Sequence, residues 1–549
     1  MPVIAAIVIS AGKESMWVDE LHSSWVVKSA YSEVVERSLQ GNQVPLYFYF
    51  LKPLVSTVSL VGWADGHSGD FWLRLPSLVA WVISVGVAAR WIAHQQSQIN
   101  PKLTGWAALA VMLLAGWDRI NWFYASEARV YAILCAVTLV AWWQIASLWL
   151  SCQSPESLGT ELGQASNPKT QDSWSGKYHV TTWTLLAALQ LGLQPVSILT
   201  VVWQWLLLTW ICWRAALVGH KCWRAWCVAS CILFLIGLYL FVLFQPTWIN
   251  RSLWASFAGS SDYKTAIGLF PFLPLLFPAL VAQPIDQAIL FGRQKRTVHQ
   301  PSTLRTANST ISVGLLIASL APIATAWMLT YCEIAPIFHR RYVCFCGLPL
   351  ALLSAWLLSN LKHTSLRWLG LGCSLLWLLY SQGELGLLAK GQIVGVQRNE
   401  NWKQAVAMIS SQANSHDQVW CASNLIEGTD VTYPLIDSDD DYLSFPLRGN
   451  YQVIAERSKL IPHALAGDNR TWGQLLGNHF LGQSASPQIA WIVYRGSPEN
   501  LKNRLRGTAR WLNQKELLLE SDDVILSFGA ICVTKIRLID PSSKPTSGL

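Results

Sequence analysis

Long apolar runs separated by short polar loops occupy the chain up to about residue 390. Each run approaches the roughly 20 residues that an α-helix needs to cross the hydrocarbon core of a bilayer. This alternation is typical of a protein that crosses a membrane many times. The runs that we predict to be transmembrane helices are 73–93, 103–117, 128–150, 181–195, 197–216, 225–245, 266–283, 310–330, 342–360 and 367–389.

The opening stretch, residues 1–12, is apolar for only half a span. Either the start lies inside the first helix or that helix is short, and a signal peptide is not favoured because no basic region precedes the apolar residues. Residues 46–62 are also apolar, but Lys52 and Pro53 interrupt them. We predict that this segment lies along the outer interface, because counting it as a span would invert every later loop. The result is about eleven transmembrane helices.

The basic residues of the short loops predict the orientation. If residues 1–12 cross outward, the loops that hold Lys102, Arg296 and most other basic residues fall on the cytoplasmic side, as the positive-inside rule requires. Residues 13–72 then form the first external loop, and residues 390–549 also lie outside. The predicted location is the inner (plasma) membrane, with several crossings.

The chain changes character from about residue 396. Strands that alternate with helices predict a small α/β domain. The predicted fold class is therefore a polytopic α-helical membrane protein, residues 1–389, with a small C-terminal extracytoplasmic α/β domain, residues 390–549. The predicted elements of that domain are helices at 401–412 and 497–511 and strands at 418–423 and 488–496.

Composition supports a membrane protein and excludes several other classes. Only 13% of the residues are charged, against about 25% in soluble domains, and the 31 Trp favour membrane interfaces. The net charge of +8 is spread over short loops, so no nucleic-acid partner is predicted. No P-loop and no GxGxxG motif is present, which excludes nucleotide hydrolysis as the energy source.

The cysteines and the acidic run do not predict a metal site. Most of the 12 Cys lie inside apolar runs, where they act as small hydrophobic residues. Cys421 and Cys532 could form a disulfide if the C-terminal domain is outside, and the sequence leaves this open. The run "DSDDD" at 437–441 fits a solvated turn better than a calcium loop, because no EF-hand spacing follows. No cofactor is predicted, and a divalent metal is left open but not indicated.

Three groups of charged residues lie on the predicted outer face. A charge within a span costs about 2.5–3.5 kcal/mol on insertion scales, so such residues usually face a cavity or one another. Each group taken singly also fits interfacial side chains that reach water or pair structurally. Together they favour chemistry, because a carboxylate beside guanidinium groups can activate a hydroxyl next to a bound phosphate. The groups are Asp19 with Glu20, then Asp118, Arg119, Glu127 and Arg129, and then His339, Arg340 and Arg341.

Five stretches, in order, carry a resemblance to a known family. "MWVDELHSSW" at 16–25 is followed by "VPLYFYFLKPL", "DFWLRLPSLVAW", "WFYASEARVYAI" and "APIFHRRYVCFCGLPLALLSA". They resemble bacterial membrane glycosyltransferases of the GT-C superfamily, the kin of dolichyl-phosphate-mannose protein mannosyltransferases and of lipid A aminoarabinose transferases. The resemblance covers residues 16 to about 145 and, more weakly, 333–360.

The resemblance implies a polyprenyl-phosphate donor that carries a hexosyl or pentosyl group, and a lipid, glycan or protein acceptor with a hydroxyl, both at the outer face. It implies that Asp19 is the general base and that Glu20 is the second acidic position. Glu127 and Arg129 match the family's Glu-Ala-Arg motif. The other residues predicted at the donor phosphate are Arg340 and the late Arg-Tyr pair, Arg341 and Tyr342. The residues predicted to support the site are Asp118, Arg119, Tyr131 and His339.

The chain departs from the family pattern at three places. The first helix is short, Val44 replaces the first Pro of a Pro-Pro pair, and "LQPVS" at 193–197 stands where many relatives have a His-Tyr pair. The last departure bears on the choice of acceptor more than on the chemistry.

The bonds concerned predict the mechanism. A sugar on polyprenyl phosphate already has a good leaving group, so one base that takes the acceptor's proton is sufficient, while Arg side chains stabilise the departing phosphate. A glycosidase instead has two carboxylates about 5–9.5 Å apart that flank the bond. Adjacent residues such as Asp19 and Glu20 point apart, so they make a poor glycosidase pair. One base together with an arginine-lined phosphate site instead predicts transfer with inversion.

Two other functions stay open. A secondary transporter would have inverted repeats and broken helices near the midplane; no repeat is evident, and the proline-rich run 270–278 is the one hint of a broken helix. A non-catalytic membrane scaffold that presents the α/β domain would leave Asp19 replaceable.

Overall fold

The computed structural model describes residues 2–41, 43–60, 68–152, 172–217, 222–245, 262–293, 302–389, 398–425, 442–481, 488–514, 517–521 and 524–539. The chain forms two compact units. The first consists of residues 1–9 with 74–396, and the second of residues 10–73 with 397–549. The acidic run 437–441, interpreted above as a turn, lies outside the described residues.

Up to residue 389 the described residues are mostly helical, because a long apolar run satisfies its own backbone hydrogen bonds only as a helix. Helices α2 to α4 belong to the second unit, and the unit boundaries fall inside α1 and α5. The helices are α1 (Pro2–Lys13), α2 (Val18–Lys28), α3 (Val34–Gln40), α4 (Pro45–Leu60), α5 (Ser68–Ile99), α6 (Thr104–Gly116), α7 (Arg119–Ala125), α8 (Tyr131–Ser151), α9 (Asp172–Leu193), α10 (Ile198–Leu217), α11 (Cys222–Leu243), α12 (Tyr263–Leu269), α13 (Phe272–Arg293), α14 (Ser302–Tyr331), α15 (Gly347–Ser359), α16 (Thr364–Ser381) and α17 (Glu384–Ala389).

Every segment predicted to be transmembrane overlaps one of these helices. Six described helices are long and apolar enough to cross a membrane, and the bent pair 101–116 and 119–125 would add a seventh. The prediction of a polytopic α-helical membrane protein is therefore confirmed. The predicted count of about eleven is not reached among the described helices, partly because the apolar helices at 4–13 and 344–359 are shorter than a full span.

Buried polar side chains of the first unit bond to one another. Thr138 of α8 donates to Gln190 Oε1 of α9 over 3.0 Å, and the Trp183 indole donates to Gln204 Oε1 of α10 over 3.2 Å. Both glutamines are fully buried. Since an unsatisfied polar group in hydrocarbon costs several kcal/mol, such contacts fix which helices pack together.

In the second unit, the segment predicted to lie along the interface folds as helix α4, with Pro53 inside it. Lys52 is buried, and its ammonium donates to the carbonyl oxygens of Val27, over 2.9 Å, and of Ser29. It also lies 4.8 Å from the centre of the Tyr31 ring. The residue that interrupts the apolar run therefore ties α4 to the end of α2.

The rest of the second unit is the α/β domain. The predicted helices and strands at 401–412, 418–423, 488–496 and 497–511 are all present, which confirms this part of the fold prediction. The elements are α18 (Trp402–Gln412), α19 (Asn469–Leu481), α20 (Pro498–Asn513), β1 (Gln418–Ala422), β2 (Ile454–Ala455), β3 (Ser458–Lys459), β4 (Pro462–Ala464), β5 (Gln488–Arg495), β6 (Leu518–Ser521), β7 (Leu526–Phe528) and β8 (Ile531–Ile539).

The main sheet has the order β4-β1-β5-β8-β6, with β7 also paired to β8. Strands β4, β1 and β5 are parallel, while β8 is antiparallel to β5 and β6. The apolar face of the sheet buries Trp420 and Ile492 against Trp472 and Leu501, which come from α19 and α20. Burial of such side chains contributes about 1.5–3 kcal/mol each.

The disulfide that the sequence left open between Cys421 and Cys532 is absent. Both thiols are free and buried. Cys421 lies on β1 and Cys532 on β8, and β5 pairs with both strands and separates them. Two strand spacings amount to about 9.5 Å, which exceeds the roughly 7 Å limit for the Cα atoms of a disulfide.

Candidate functional site

The second charged group begins where α6 and α7 meet at a 72° bend. Asp118 caps α7: its Oδ1 accepts from the backbone N–H of Ile120 over 3.0 Å and from Gln382 Nε2 over 2.9 Å. Within the described part of the chain, its Oδ2 has no hydrogen-bond partner, although the residue is almost fully buried. The cap explains why the helix breaks here and places one carboxylate at the break.

Arg119, the next residue, points elsewhere. Its backbone N–H donates to Gln382 Oε1 over 2.8 Å, and its Nη1 donates to the Gln382 carbonyl over 2.9 Å. Its Nε lies 3.5 Å from the buried carboxylate of Glu384. These contacts give Arg119 a structural role, and the sequence analysis missed both Gln382 and Glu384.

The Glu-Ala-Arg motif is buried at the start of α8. Glu127 is fully buried and Arg129 is 6% exposed. The Arg129 carbonyl accepts from the Ser77 hydroxyl over 2.9 Å, so the "RLPS" stretch positions this motif. The Arg129 guanidinium lies 5.6 Å from the centre of the Tyr131 ring, and its Nη2 donates to the Tyr131 hydroxyl over 3.4 Å.

The third charged group follows α14 on an irregular segment. Thr330 fixes the segment, because its hydroxyl oxygen accepts from the N–H groups of Ile337 and Phe338 over 3.1 and 2.8 Å. His339 Nδ1 then accepts from the backbone N–H of Arg341 over 3.2 Å and lies 3.4 Å from its Nε.

Arg340 and Arg341 are half-buried. Arg340 Nε donates to the Leu269 carbonyl over 3.0 Å. The Arg341 guanidinium lies 5.8 Å from the centre of the Tyr342 ring, and that ring lies 5.9 Å from the His339 ring. The histidine and the two arginines are therefore held side by side, as their order in the sequence requires.

The fold brings the second and third groups together around two tyrosines. Tyr131 contacts Arg129, and the charges of Glu127 and Arg341 lie within electrostatic range of its hydroxyl. The Tyr124 ring lies 5.1 Å from the Tyr131 ring, tilted by 59°, and within electrostatic range of Glu127 and Arg340. The sequence analysis missed Tyr124, although it stands inside the quoted "WFYASEARVY" stretch. Guanidinium groups from two distant segments thus lie near the same two buried tyrosines, and several guanidinium groups in one place suit an anion.

Asp19 and Glu20 lie in the second unit, in the first turn of α2. Successive residues of a helix point about 100° apart. Glu20 is fully buried, and its Oε2 accepts from the backbone N–H of Trp17 over 3.3 Å. Asp19 is half-buried. The two carboxylates therefore occupy different environments.

Glu20 also forms an ion pair with Arg398, whose Nε is 3.4 Å from its Oε2. Neither Arg398 nor its neighbour Glu400, which accepts from the backbone N–H of Val18 over 3.0 Å, was identified from the sequence. Charged residues just before a domain carry no local signal of such partners. In the described part of the chain, no three His, Cys, Asp or Glu side chains are grouped so as to hold a metal ion.

Comparisons with known proteins give two similar structures. They are crystal structures of ArnT from Cupriavidus metallidurans, one bound to undecaprenyl phosphate and one in the apo state. Each is 12% identical to this chain, covers 97% of it and is covered over 96% of its own length, with TM-scores of 0.37 and 0.33. ArnT is a lipid A aminoarabinose transferase, one of the groups that the motifs resemble.

No protein-family model matches the chain, and no curated protein matches it either. At such low identity and TM-score, the likeness to ArnT carries no argument about mechanism. The function below is therefore argued from the residues of this chain.

Proposed function

We propose that this protein is an integral membrane glycosyltransferase. It moves a hexosyl or pentosyl group from a polyprenyl-phosphate donor to a hydroxyl acceptor on a lipid, glycan or protein at the outer face of the membrane, with inversion. The acceptor oxygen attacks the anomeric carbon, the bond from that carbon to the phosphate oxygen breaks, and the acceptor proton passes to a base.

The observation that carries the proposal is the convergence of Arg129 and Arg341 near Tyr131. These residues come from segments far apart in the chain; Arg129 contacts Tyr131, and Arg341 lies within electrostatic range of it. A departing polyprenyl phosphate gains negative charge as the glycosidic bond breaks, and guanidinium groups with planar donor sets stabilise that charge. Arg340, half-buried on the same segment, adds a third cation.

Asp19 is the proposed base. It is half-buried in the first turn of α2, where the partial positive charge of the helix N-terminus favours a carboxylate. Glu20 is fully buried, accepts from Trp17 and pairs with Arg398. We therefore assign Glu20 to holding the turn and Asp19 to taking the proton.

The bent pair α6 and α7 is a feature that transporters also have. In this chain the cap from Asp118 accounts for the bend. No observation then favours transport over transfer.

The test is a comparison of surface glycans and glycolipids, by mass spectrometry, from cells with and without the gene. We expect one class of glycan or glycolipid to lose a hexose- or pentose-sized mass in the deletion and to regain it on complementation. Purified protein in detergent should also bind undecaprenyl phosphate. Identical glycan profiles together with no binding would refute the proposal.

A further inference from the structure

The segment just before α2 is held by residues that lie more than 380 positions away. Three consecutive backbone N–H groups, of Met16, Trp17 and Val18, donate to the side chains of Tyr451, Glu20 and Glu400 over 2.7, 3.3 and 3.0 Å. These N–H groups precede or open a helix, so no backbone carbonyl of the helix can accept from them. The α/β domain therefore supplies two of the three acceptors that fix where α2 begins.

Arg398 adds a charged clamp on the same segment. Its side chain is 2% exposed, its Nη1 lies 2.7 Å from Glu14 Oε2, and its Nε lies 3.4 Å from Glu20 Oε2. One guanidinium thus bridges a carboxylate before α2 and a carboxylate in its first turn. The planar fork of a guanidinium fixes the geometry of both contacts, whereas the rotatable donors of an ammonium do not.

The anchoring residues are themselves fixed to the domain. Glu400 accepts from Arg495 Nε over 2.8 Å and from the Trp402 indole over 3.2 Å. Tyr451 donates to Asp70 Oδ2 over 2.7 Å, and Lys403 pairs with the same oxygen over 2.8 Å. Because each anchor has a second partner, the position of α2 follows the position of the sheet.

We infer that Arg398 and Tyr451 are positioning residues for Asp19, so that the α/β domain completes the catalytic loop. This inference rests on the proposed function of Asp19. Asp19 lies one residue after Val18 and one before Glu20, both of which are held by this network. A displacement of about 1 Å at a catalytic group can cost roughly 100-fold in rate. Loosening the network should therefore slow transfer without touching the donor phosphate.

The experiment uses the full-length protein with two conservative substitutions and two matched controls. Tyr451→Phe removes one hydroxyl, and Arg398→Lys keeps the charge but not the fork. The controls are Tyr494→Phe, a buried tyrosine of β5, and Arg504→Lys, an arginine of α20 that contacts Asn469 and Trp472. The readouts are glycan modification in complemented cells, affinity for undecaprenyl phosphate, melting temperature, and hydrogen–deuterium exchange of residues 14–25.

We expect Tyr451→Phe and Arg398→Lys to lower transfer by at least tenfold and to speed amide exchange at 16–18. Their affinity for undecaprenyl phosphate should stay within twofold of the wild type, and their melting temperature within a few degrees. The controls should match the wild type throughout. A general structural defect would instead lower binding, stability and transfer together, and that result would overturn the inference.

Unchanged exchange at 16–18 in both folded variants would also overturn it, whatever the activity. If the wild-type protein neither modifies glycans nor binds undecaprenyl phosphate, the proposed function fails and the role given to Asp19 fails with it. If the wild-type protein transfers the sugar and both variants do so at the normal rate, only the positioning role is refuted.

Discussion

Arg340 and Arg398 are both arginines near acidic residues of the predicted site, Asp118 and Glu20 respectively, but their contacts differ. Arg340, in the first unit, is half-buried and donates to the Leu269 carbonyl; among the described residues it makes no ion pair. Arg398, in the second unit, is 2% exposed and pairs with Glu14 and Glu20. The first keeps its charge for a further anion, while the charge of the second is already neutralised.

This difference separates two uses of a guanidinium group. An arginine whose partner is a neutral carbonyl still attracts phosphate, and it can stabilise charge that develops during a reaction. A buried arginine between two carboxylates holds structure, and removing it leaves buried charges without a counter-charge. If this distinction holds, substitutions of arginines in the first unit should weaken donor binding, whereas substitution of Asp19 should slow transfer.

The largest expected effect is all-or-none labelling on the two sides of the membrane. In a Cys-free background, Lys102→Cys and Asn503→Cys each place one exposed thiol, the first in a predicted cytoplasmic loop and the second on α20. An impermeant maleimide added outside should label only position 503. Labelling of both positions from the same side of sealed membranes would break the predicted orientation.

Asp19→Asn should lower transfer by roughly 10²–10⁴-fold, because the amide keeps the shape of the carboxylate but cannot take a proton. Undecaprenyl phosphate binding should not change. Glu20→Gln should cost less than Asp19→Asn, since Glu20 is assigned to holding the turn. Glycan modification in complemented cells measures both, and near-normal transfer by a well-expressed Asp19→Asn protein would remove Asp19 from the mechanism.

Arg129→Ala and Arg341→Ala should each weaken undecaprenyl phosphate binding by roughly 10- to 150-fold, the equivalent of about 1.5–3 kcal/mol for a hydrogen bond to a charged group. The corresponding Arg→Lys variants should recover part of this loss but not the bidentate fork. Arg119→Ala is the matched control, because Arg119 contacts Gln382 and Glu384. Unchanged affinity in both Ala variants would contradict the phosphate assignment.

Arg340→Ala should have the smallest effect on donor binding, roughly fivefold or about 1 kcal/mol, since it acts beside the two main arginines. The loss should shrink as salt rises, because a partly accessible charge is screened. Titration of undecaprenyl phosphate at low and high salt measures this. A loss as large as that of Arg341→Ala would exchange the roles of the two arginines.

The apolar runs and the alternation in the C-terminal part were sufficient to predict the helices and the main strands. Periodicity and run length act locally, so each element could be read from its own residues. The ordered motifs also placed Arg129, Arg341 and Tyr131 in one candidate site. That these residues lie near one another depends on the fold, because their two segments are far apart in the chain.

Other features had no local pattern. Gln382 completes the cap at Asp118 across 264 positions, and Arg398 reaches Glu14 across 384. The Cys421–Cys532 disulfide, which the sequence left open, is excluded by the strand order, because β5 lies between the two strands that carry the thiols. The difference in burial between the adjacent carboxylates Asp19 and Glu20 also has no local pattern, because it depends on which side of α2 the fold covers.

The sequence by itself determined which segments are apolar enough to become helices, that the C-terminal part alternates strands and helices, and which charged residue types stand in the candidate motifs. Only the tertiary structure decided which of those charges are already neutralised. Hydrophobicity and backbone propensity depend on neighbours in the chain, whereas an ion pair depends on neighbours in space. For that reason, the distinction between Arg340 and Arg398 becomes visible only once the chain has folded.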